Sequence, residues 1–310
     1  WSKTRSDANS HQLWDALRDL DDALASNNTN AEGNDKASGY LASLDSDGFT
    51  TTAGTSGVIN VDESGRTYVA WNWLGANGTV TNTDGTLTNT VTVSANPTAG
   101  FSIVKWSGTS SASTIGHGLT EAPALIIVKN TNTVLNWFCG AGDFLANGWS
   151  DWMHLNKTDE QGNNSANAWN STAPTASVFS VDSHYSTNAT GDDYIAYCFH
   201  SVEGYSKVGA FTGNDHNDGT FLYLGFRPAF AMFKSYTNAA GWGIEDNKIN
   251  PYNQQDNYLQ ADTNDDESTN GHLDFLSNGI KLRNTNSRFN AYSYIYLAFA
   301  ESPFKYANAR

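Results

Sequence analysis

The residues of this chain best suited to chemistry are loop aspartates and a small set of aromatic side chains. Asp215 and Asp218 lie in the run Asn214-Asp215-His216-Asn217-Asp218-Gly219, and Asp262 and Asp265 in Asp262-Thr263-Asn264-Asp265-Asp266-Glu267. Both runs carry oxygen ligands of the kind a hard cation such as Ca²⁺ takes, although the first has no distal glutamate where an EF-hand loop needs one. The plainer alternative is a pair of solvated turns in an acidic protein. Trp149 and Trp152 sit in a stretch rich in Gly, Asn and Asp, and with Tyr185 they are candidates for presenting ring faces to the C–H surface of a sugar. Trp149 is the better candidate of the two tryptophans. Trp152 has a counterpart in Tyr258, and recurrence between repeats marks packing more often than ligand contact.

Catalytic signatures are missing from the sequence. It has no Gly-rich phosphate loop, nucleophile elbow, His-Glu-x-x-His or paired Cys-x-x-Cys. His117, within Gly116-His117-Gly118-Leu119, reads as a turn residue leading into a strand. Carboxylates such as Asp265, Asp266 and Glu267 beside Asp215 and Asp218 have the composition of a glycosidase site. That chemistry, however, requires two carboxyls at a set separation across one cleft. The expectation is a non-enzymatic protein, with glycan depolymerase as a minor alternative. Cys139 and Cys198 are too few for a disulfide framework. Their counterparts near Ile244 and Ala298 are not cysteines, so free buried thiols are expected.

The elements that must position these residues repeat three times, and repetition of this kind decides the fold. Gly65–Trp73, Gly191–Phe199 and Ala291–Phe299 are versions of one signature strand. An opening strand recurs at Phe101–Gly108 and Lys207–Gly213. A proline-led strand recurs at Ala122–Lys129 and Arg227–Lys234, and Trp1-Ser2-Lys3 matches its end, so Lys3 corresponds to Lys129 and Lys234. Trp137 and Trp242 follow their lysines at the same spacing and are expected in the core. The triplets Ala23–Ala25, Trp152–His154 and Tyr258–Gln260 run into polar, acidic loops. Late turns at Asp47–Phe49, Ser177–Phe179 and Asn278–Ile280 precede each signature strand.

This spacing divides the chain into a first unit over 1–75, a linking hairpin over 76–99, a second unit over 100–205, a third over 206–304 and a tail over 305–310. The first unit has no opening strand within these residues, and more of it is expected upstream. Short runs of Val, Ile, Tyr, Phe and Trp between Gly, Asn, Asp, Ser and Thr clusters predict strands throughout. In the signature strands, Val69, Trp71 and Trp73 share one face, as do Ile195, Tyr197 and Phe199, and Ile295, Leu297 and Phe299. The opposite face, Tyr194, Ala196 and Cys198, is also apolar, which predicts a central strand covered on both sides in a two-sheet sandwich. Tyr68, Tyr194 and Tyr294 then mark three cores. Asp84-Gly85 marks the turn of the hairpin between Thr79 and Val93, and Leu13–Arg18 is expected to form a turn or two of helix.

Composition agrees with an all-β surface protein. The formal net charge is −15, only 16% of residues are charged and 13% are aromatic. Acidity on this scale, without clustered Lys and Arg, excludes a nucleic-acid partner. No apolar run is long enough to insert into a membrane as a helix.

Several segments together resemble a known family. They are Gly225-Phe226-Arg227-Pro228-Ala229-Phe230 with Met232 and Lys234, Asn250-Pro251-Tyr252-Asn253, Tyr294–Glu301, and the ending Pro303–Arg310. They are similar to a tandem domain of tailed bacteriophages, mostly marine, found in tail-fibre and other virion surface proteins and usually described as a domain of unknown function. The resemblance covers essentially the whole chain and rests on packing and turn residues. It implies tandem lectin-like, jelly-roll type β-sandwich units exposed on a virion. It also implies contact with other virion subunits, attachment to a host cell-surface glycan or protein, and a homo-oligomer, with a trimer favoured by analogy. A purely structural role, as a fibre shaft module or a capsid decoration protein, is the alternative. The resemblance supplies no catalytic residues, and fold alone does not give function.

Overall fold

A computed structural model describes residues 1–34, 36–55, 60–76, 78–163 and 166–302. The proposed tail over 305–310 lies outside them. The fold is all-β. In the first unit, β1 (Ser2–Thr4) is followed by an outer hairpin, β2 (Tyr40–Leu44) and β3 (Phe49–Thr52), and by the signature strand β4 (Tyr68–Ala70), which pairs with β1. The 76–99 hairpin supplies β5 (Val80–Asn82) and β6 (Val91–Asn96), joined by an eight-residue connection containing Asp84-Gly85.

These two strands extend the sheet of the second unit. That unit contributes β7 (Phe101–Ser107), β8 (Ser113–Gly116), β9 (Leu125–Asn130), β10 (Phe138–Gly140), β11 (Met153–His154), β12 (Val178–Val181) and the signature strand β13 (Asp193–Phe199). The large sheet has the order β11-β10-β9-β13-β7-β6-β5, and β8 pairs with β12 as a second layer. The third unit repeats this plan with β14 (Ser206–Thr212), β15 (Phe221–Tyr223), β16 (Pro228–Ser235), β17 (Gly243–Asp246), β18 (Leu273–Leu276), β19 (Gly279–Leu282) and β20 (Ser293–Ala300). Its inner sheet runs β14-β20-β16-β17, and its outer sheet runs β15-β19-β18. In both complete units the signature strand is central, paired on one side with the opening strand and on the other with the proline-led strand.

The predicted repeat equivalences appear as identical registers. Lys3 faces Val69, Lys129 faces Ile195 and Lys234 faces Ile295. Both faces of the signature strand are buried, as the apolar character of both faces requires. Tyr194, Ala196 and Cys198 pack inside the second unit, and Tyr296 and Ala298 inside the third. The other face departs from the expectation of separate cores. Trp71, Ile195, Tyr197, Phe199, Ile295, Leu297 and Phe299 belong to one continuous core, with Val69 and Trp73 packed against it. The last aromatic of each signature strand meets the other two in a triangle. Trp73–Phe199, Phe199–Phe299 and Trp73–Phe299 have ring centroids 6.3, 6.2 and 5.8 Å apart.

The expected helix at Leu13–Arg18 is not present. Leu13 forms an isolated antiparallel bridge with Leu24, and Asp15 accepts the Leu17 N–H at 2.9 Å, a local bond that competes with helix formation. Among the described residues the α-helix is the single turn Ala166–Trp169.

Because the core is shared, the units should unfold together. Phe199→Ala removes one corner of the triangle and should cost about 3–5 kcal/mol. Denaturant unfolding followed by near-UV and far-UV circular dichroism should still show one coincident transition, and separate transitions for the units would contradict the shared core.

Candidate functional site

The three units are locked to one another by contacts that repeat around a ring. Eight residues after each repeat lysine stands His11, Trp137 or Trp242. Each ring places a nitrogen on the backbone carbonyl of a neighbouring unit's triplet: Trp137 Nε1 on Ala25 at 2.8 Å, Trp242 Nε1 on His154 at 2.8 Å and His11 Nε2 on Gln260 at 2.9 Å. The Trp1 indole N–H donates to His11 Nδ1 at 2.8 Å, so Nε2 carries the proton and donates. Burial holds the His11 ring down to about 3, in keeping with a neutral imidazole. Seven residues beyond each carbonyl, Glu32, Gln161 and Glu267 donate their backbone N–H to Thr131, Tyr236 and Arg5, at 2.9, 3.0 and 3.0 Å.

The repeat lysines complete these seams. Lys129 reaches the Thr29 carbonyl of the first unit at 3.4 Å. Lys234 reaches Thr158 and Asp159 of the second at 3.0 and 2.6 Å. Lys3 donates to the carbonyls of Thr4 and Asp7 and is drawn electrostatically to Asp266 and Asp265 of the third unit. Asp265, a candidate metal ligand, thus serves as part of the counter-charge to a buried ammonium.

The other candidate ligands are also engaged. Asp262 Oδ1 accepts the Trp242 backbone N–H at 2.7 Å. Asn156 does the same for Trp137 and Asn27 for His11, both at 3.0 Å, so this position is a repeated loop cap. Asp218 pairs with Lys281 at 2.7 Å. Asp215 is exposed in a turn with φ of 49°. Among the described residues no three His, Cys, Asp or Glu side chains converge as a metal-holding group.

Trp149 is buried in the second unit. It is 5% exposed, packs edge-on to Trp169 at 5.7 Å and donates from Nε1 to Asp143. Gly140 leaves the room for this pair, since a Cβ there would fall within 2.8 Å of both indoles. Trp152 and Tyr185 are brought together in one row of rings. Tyr185, 58% exposed, stacks on His184 at 4.3 Å. His184 lies 5.0 Å from Phe138, Phe138 is stacked 5.0 Å from Trp152, and Trp152 lies 4.5 Å from His154. Gly162 closes on the Trp152 indole, leaving no space for a side chain of its own. Phe138, His184 and His154 are members of this row that sequence spacing did not reveal. His117 is structural, as expected: it accepts the Leu119 N–H on Nδ1 and contacts the Thr175 carbonyl through Nε2.

A second feature is a cleft of about 730 Å³ at the first unit, lined by Trp14, Asp15, Phe49, Trp73, Phe230 and Leu297 among others. Its polar floor is a buried network in which Asp15 accepts from Arg18 and from the Tyr197 hydroxyl, both at 2.8 Å.

A family model described as "Domain of unknown function (DUF7483)" matches residues 1–303. The chain belongs to this family. No curated protein and no solved structure matches it. In this DUF7483 chain the cysteines are free. Cys139 faces the shared core and Cys198 the core of the second unit, on opposite sides of one sheet. Burial pushes the Cys198 thiol up to about 12 and Cys139 higher still.

Two outcomes test these assignments. Asp262→Asn keeps the acceptor used by the other two copies and should shift stability by less than about 1 kcal/mol, whereas Asp262→Ala orphans the Trp242 N–H at a cost of about 1–3 kcal/mol. Burial pushes Lys3, Lys129 and Lys234 each down to about 8. Between there and the ordinary lysine value the unfolded chain binds more protons than the folded one, so these groups add stability as pH rises. In denaturant titrations the wild type should therefore gain on Lys129→Met from pH 8 to 10. A constant difference would contradict this placement.

Proposed function

We propose that this chain is a non-enzymatic recognition module of a bacteriophage virion surface, tail-fibre or adhesin-like, that binds a host cell-surface glycan or protein. The observation that carries this reading is the aromatic row ending in Tyr185. An exposed phenol ring braced from behind by His184, Phe138 and Trp152 offers a rigid apolar face with a polar tip, the kind of group that contributes most at recognition surfaces. Support also comes from the buried titratable groups. Lys3, Lys129, Lys234, His11, His117 and Asp262 each hold loops in place and are engaged by the scaffold itself.

A second reading, a packing module that contacts other virion subunits, is favoured by one feature. Phe221 and Tyr223 are exposed on β15, the edge strand of the third unit's outer sheet, with Lys207 lying over the Tyr223 ring 5.7 Å from its centroid. Exposed apolar residues on a sheet edge suit contact with another chain.

Binding of the full chain to a glycan array and to whole bacterial cells separates the two readings. Recognition predicts saturable binding that weakens about tenfold, or about 1.4 kcal/mol, in Tyr185→Ala. Absence of binding to any host surface, together with self-assembly that is lost in Phe221→Ser, would overturn it in favour of packing.

A further inference from the structure

The place that the aromatic row holds in the second unit is filled differently in each copy. Phe138, Trp152 and His154 correspond to Gly243, Tyr258 and Gln260 in the third unit and to Gln12, Ala23 and Ala25 in the first. The registers fix these equivalences. Ser2↔Gln12, Val128↔Phe138 and Phe233↔Gly243 are one rung, and Ala23↔Gly33, Trp152↔Gly162 and Tyr258↔Ser268 are another. In the second unit the rings of Phe138, Trp152 and His184 take up the space. In the third, Phe289 does so, 5.2 Å from Tyr258 and so close over Gly243 that a Cβ there would clash with its ring.

Among the described residues no ring takes this place in the first unit. The backbone N–H of Asn60 donates to Ser38 at 2.7 Å, as that of His184 donates to Asn167 at 3.1 Å, so an amide stands where the second unit has an imidazole. The result is a cavity of about 320 Å³, within the range of roughly 300–1,000 Å³ usual for small-molecule sites. The filling residues of the other two units, and their counterparts here, all follow the repeat lysine. The cavity is therefore set by the side chains chosen at these places.

Its lining decides what it can hold. Gln12 is 2% exposed, and its Oε1 is buried without a hydrogen-bond partner. A buried carbonyl oxygen in that state calls for a donor. Ser10, Asn28, Asn30 and Ser38 add amides and hydroxyls, and among the described residues no charged side chain lines the space. Without carboxylates it does not suit a hard cation, and without Lys or Arg it does not suit a phosphate. It also has no ring on which a base could stack. A side-chain amide offers two donors and an acceptor, and a hydroxyl offers one donor and two lone pairs. A wall of amides thus matches a molecule whose outline is hydroxyls, while the methyls of Ala23, Ala25 and Ala31 give its C–H edges a small apolar contact.

We propose that this cavity is a saccharide subsite taking one neutral pyranose unit, with a sugar hydroxyl donating to Gln12 Oε1 and the amides of Asn28 and Asn30 bonding its neighbours. Rings close the same place in the other two units, so one site per chain is expected. The site is separate from the aromatic row at Tyr185 and stands whether or not that surface binds a host.

The probes are the methyl pyranosides of glucose, galactose, mannose and N-acetylglucosamine. Each is titrated into the 310-residue chain by calorimetry, with side-chain amide signals followed by NMR. The expected result is saturable one-to-one binding of at least one of them, with shifts at the Gln12 and Asn28 amides. Ala23→Trp, which gives the first unit the residue of the second, should weaken binding at least about tenfold, and so should Gln12→Leu. Tyr185→Ala should leave it unchanged. Should Ala23→Trp fail to fold, Asn28→Ala takes its place with the same expectation. No saturable binding of any of the four, the cavity then holding water only, would overturn the proposal. So would binding that survives the cavity variants or is lost in Tyr185→Ala, because the sugar would then lie elsewhere.

Discussion

One contact, made three times, organises this protein: a side-chain ring nitrogen of one unit on a loop carbonyl of the next. Trp137 on Ala25, Trp242 on His154 and His11 on Gln260 are the same bond in different chemical dress. The polar loops that follow the triplets are long and would otherwise bury carbonyls without partners, a cost of about 1–3 kcal/mol for each. A neighbouring unit supplies donors through its indole or imidazole and, in two of the seams, its lysine, and one backbone carbonyl that accepts the loop's own amide. Each loop is held in part by a neighbouring unit, which ties each local structure to the assembly of all three.

The shared core has the same dependence. Each inner sheet is apolar on both faces, and its own outer layer covers only one of them. The remaining face is buried only when three such sheets meet, which they do at Trp73, Phe199 and Phe299. Aromatic rings suit this junction because each fills a large volume, and tilted or edge-on contacts tolerate the differences among the three strands. Trp71 adds a polar tie across the centre by donating to Asp246 at 3.0 Å.

Much of this was legible in the sequence, and the limits have physical causes. The signature strands, the repeat lysines and the buried Trp137 and Trp242 could be read because strand period and repeat spacing are local properties. That the strand trios face one another could not be read, since alternation shows that a face is buried but not what covers it. The burial of Trp149 could not be read, because it depends on Gly140 and Trp169, which lie on other elements. Two features were within reach and missed. His11 stands eight residues after Lys3, as Trp137 and Trp242 stand after their lysines. Asp262 occupies the place of Asn27 and Asn156, which marks a loop cap. The Tyr185 row needed the fold, because Phe138, Trp152 and His184 approach only through β10, β11 and the loop before β13.

The seams also set a limit on growth. In open repeat proteins each copy leaves a free face on which another can stack, so copy number varies and the end units need special caps. Here the seam from the first unit to the third has the same ring-nitrogen and backbone bonds as the other two, and the last docking face is consumed by the first copy. A fourth copy inserted by duplication would find no unfilled seam and would have to break the ring to join it. Sequence drift in the exposed loops is unconstrained by this closure, but the number of copies is not: the geometry counts to three and stops.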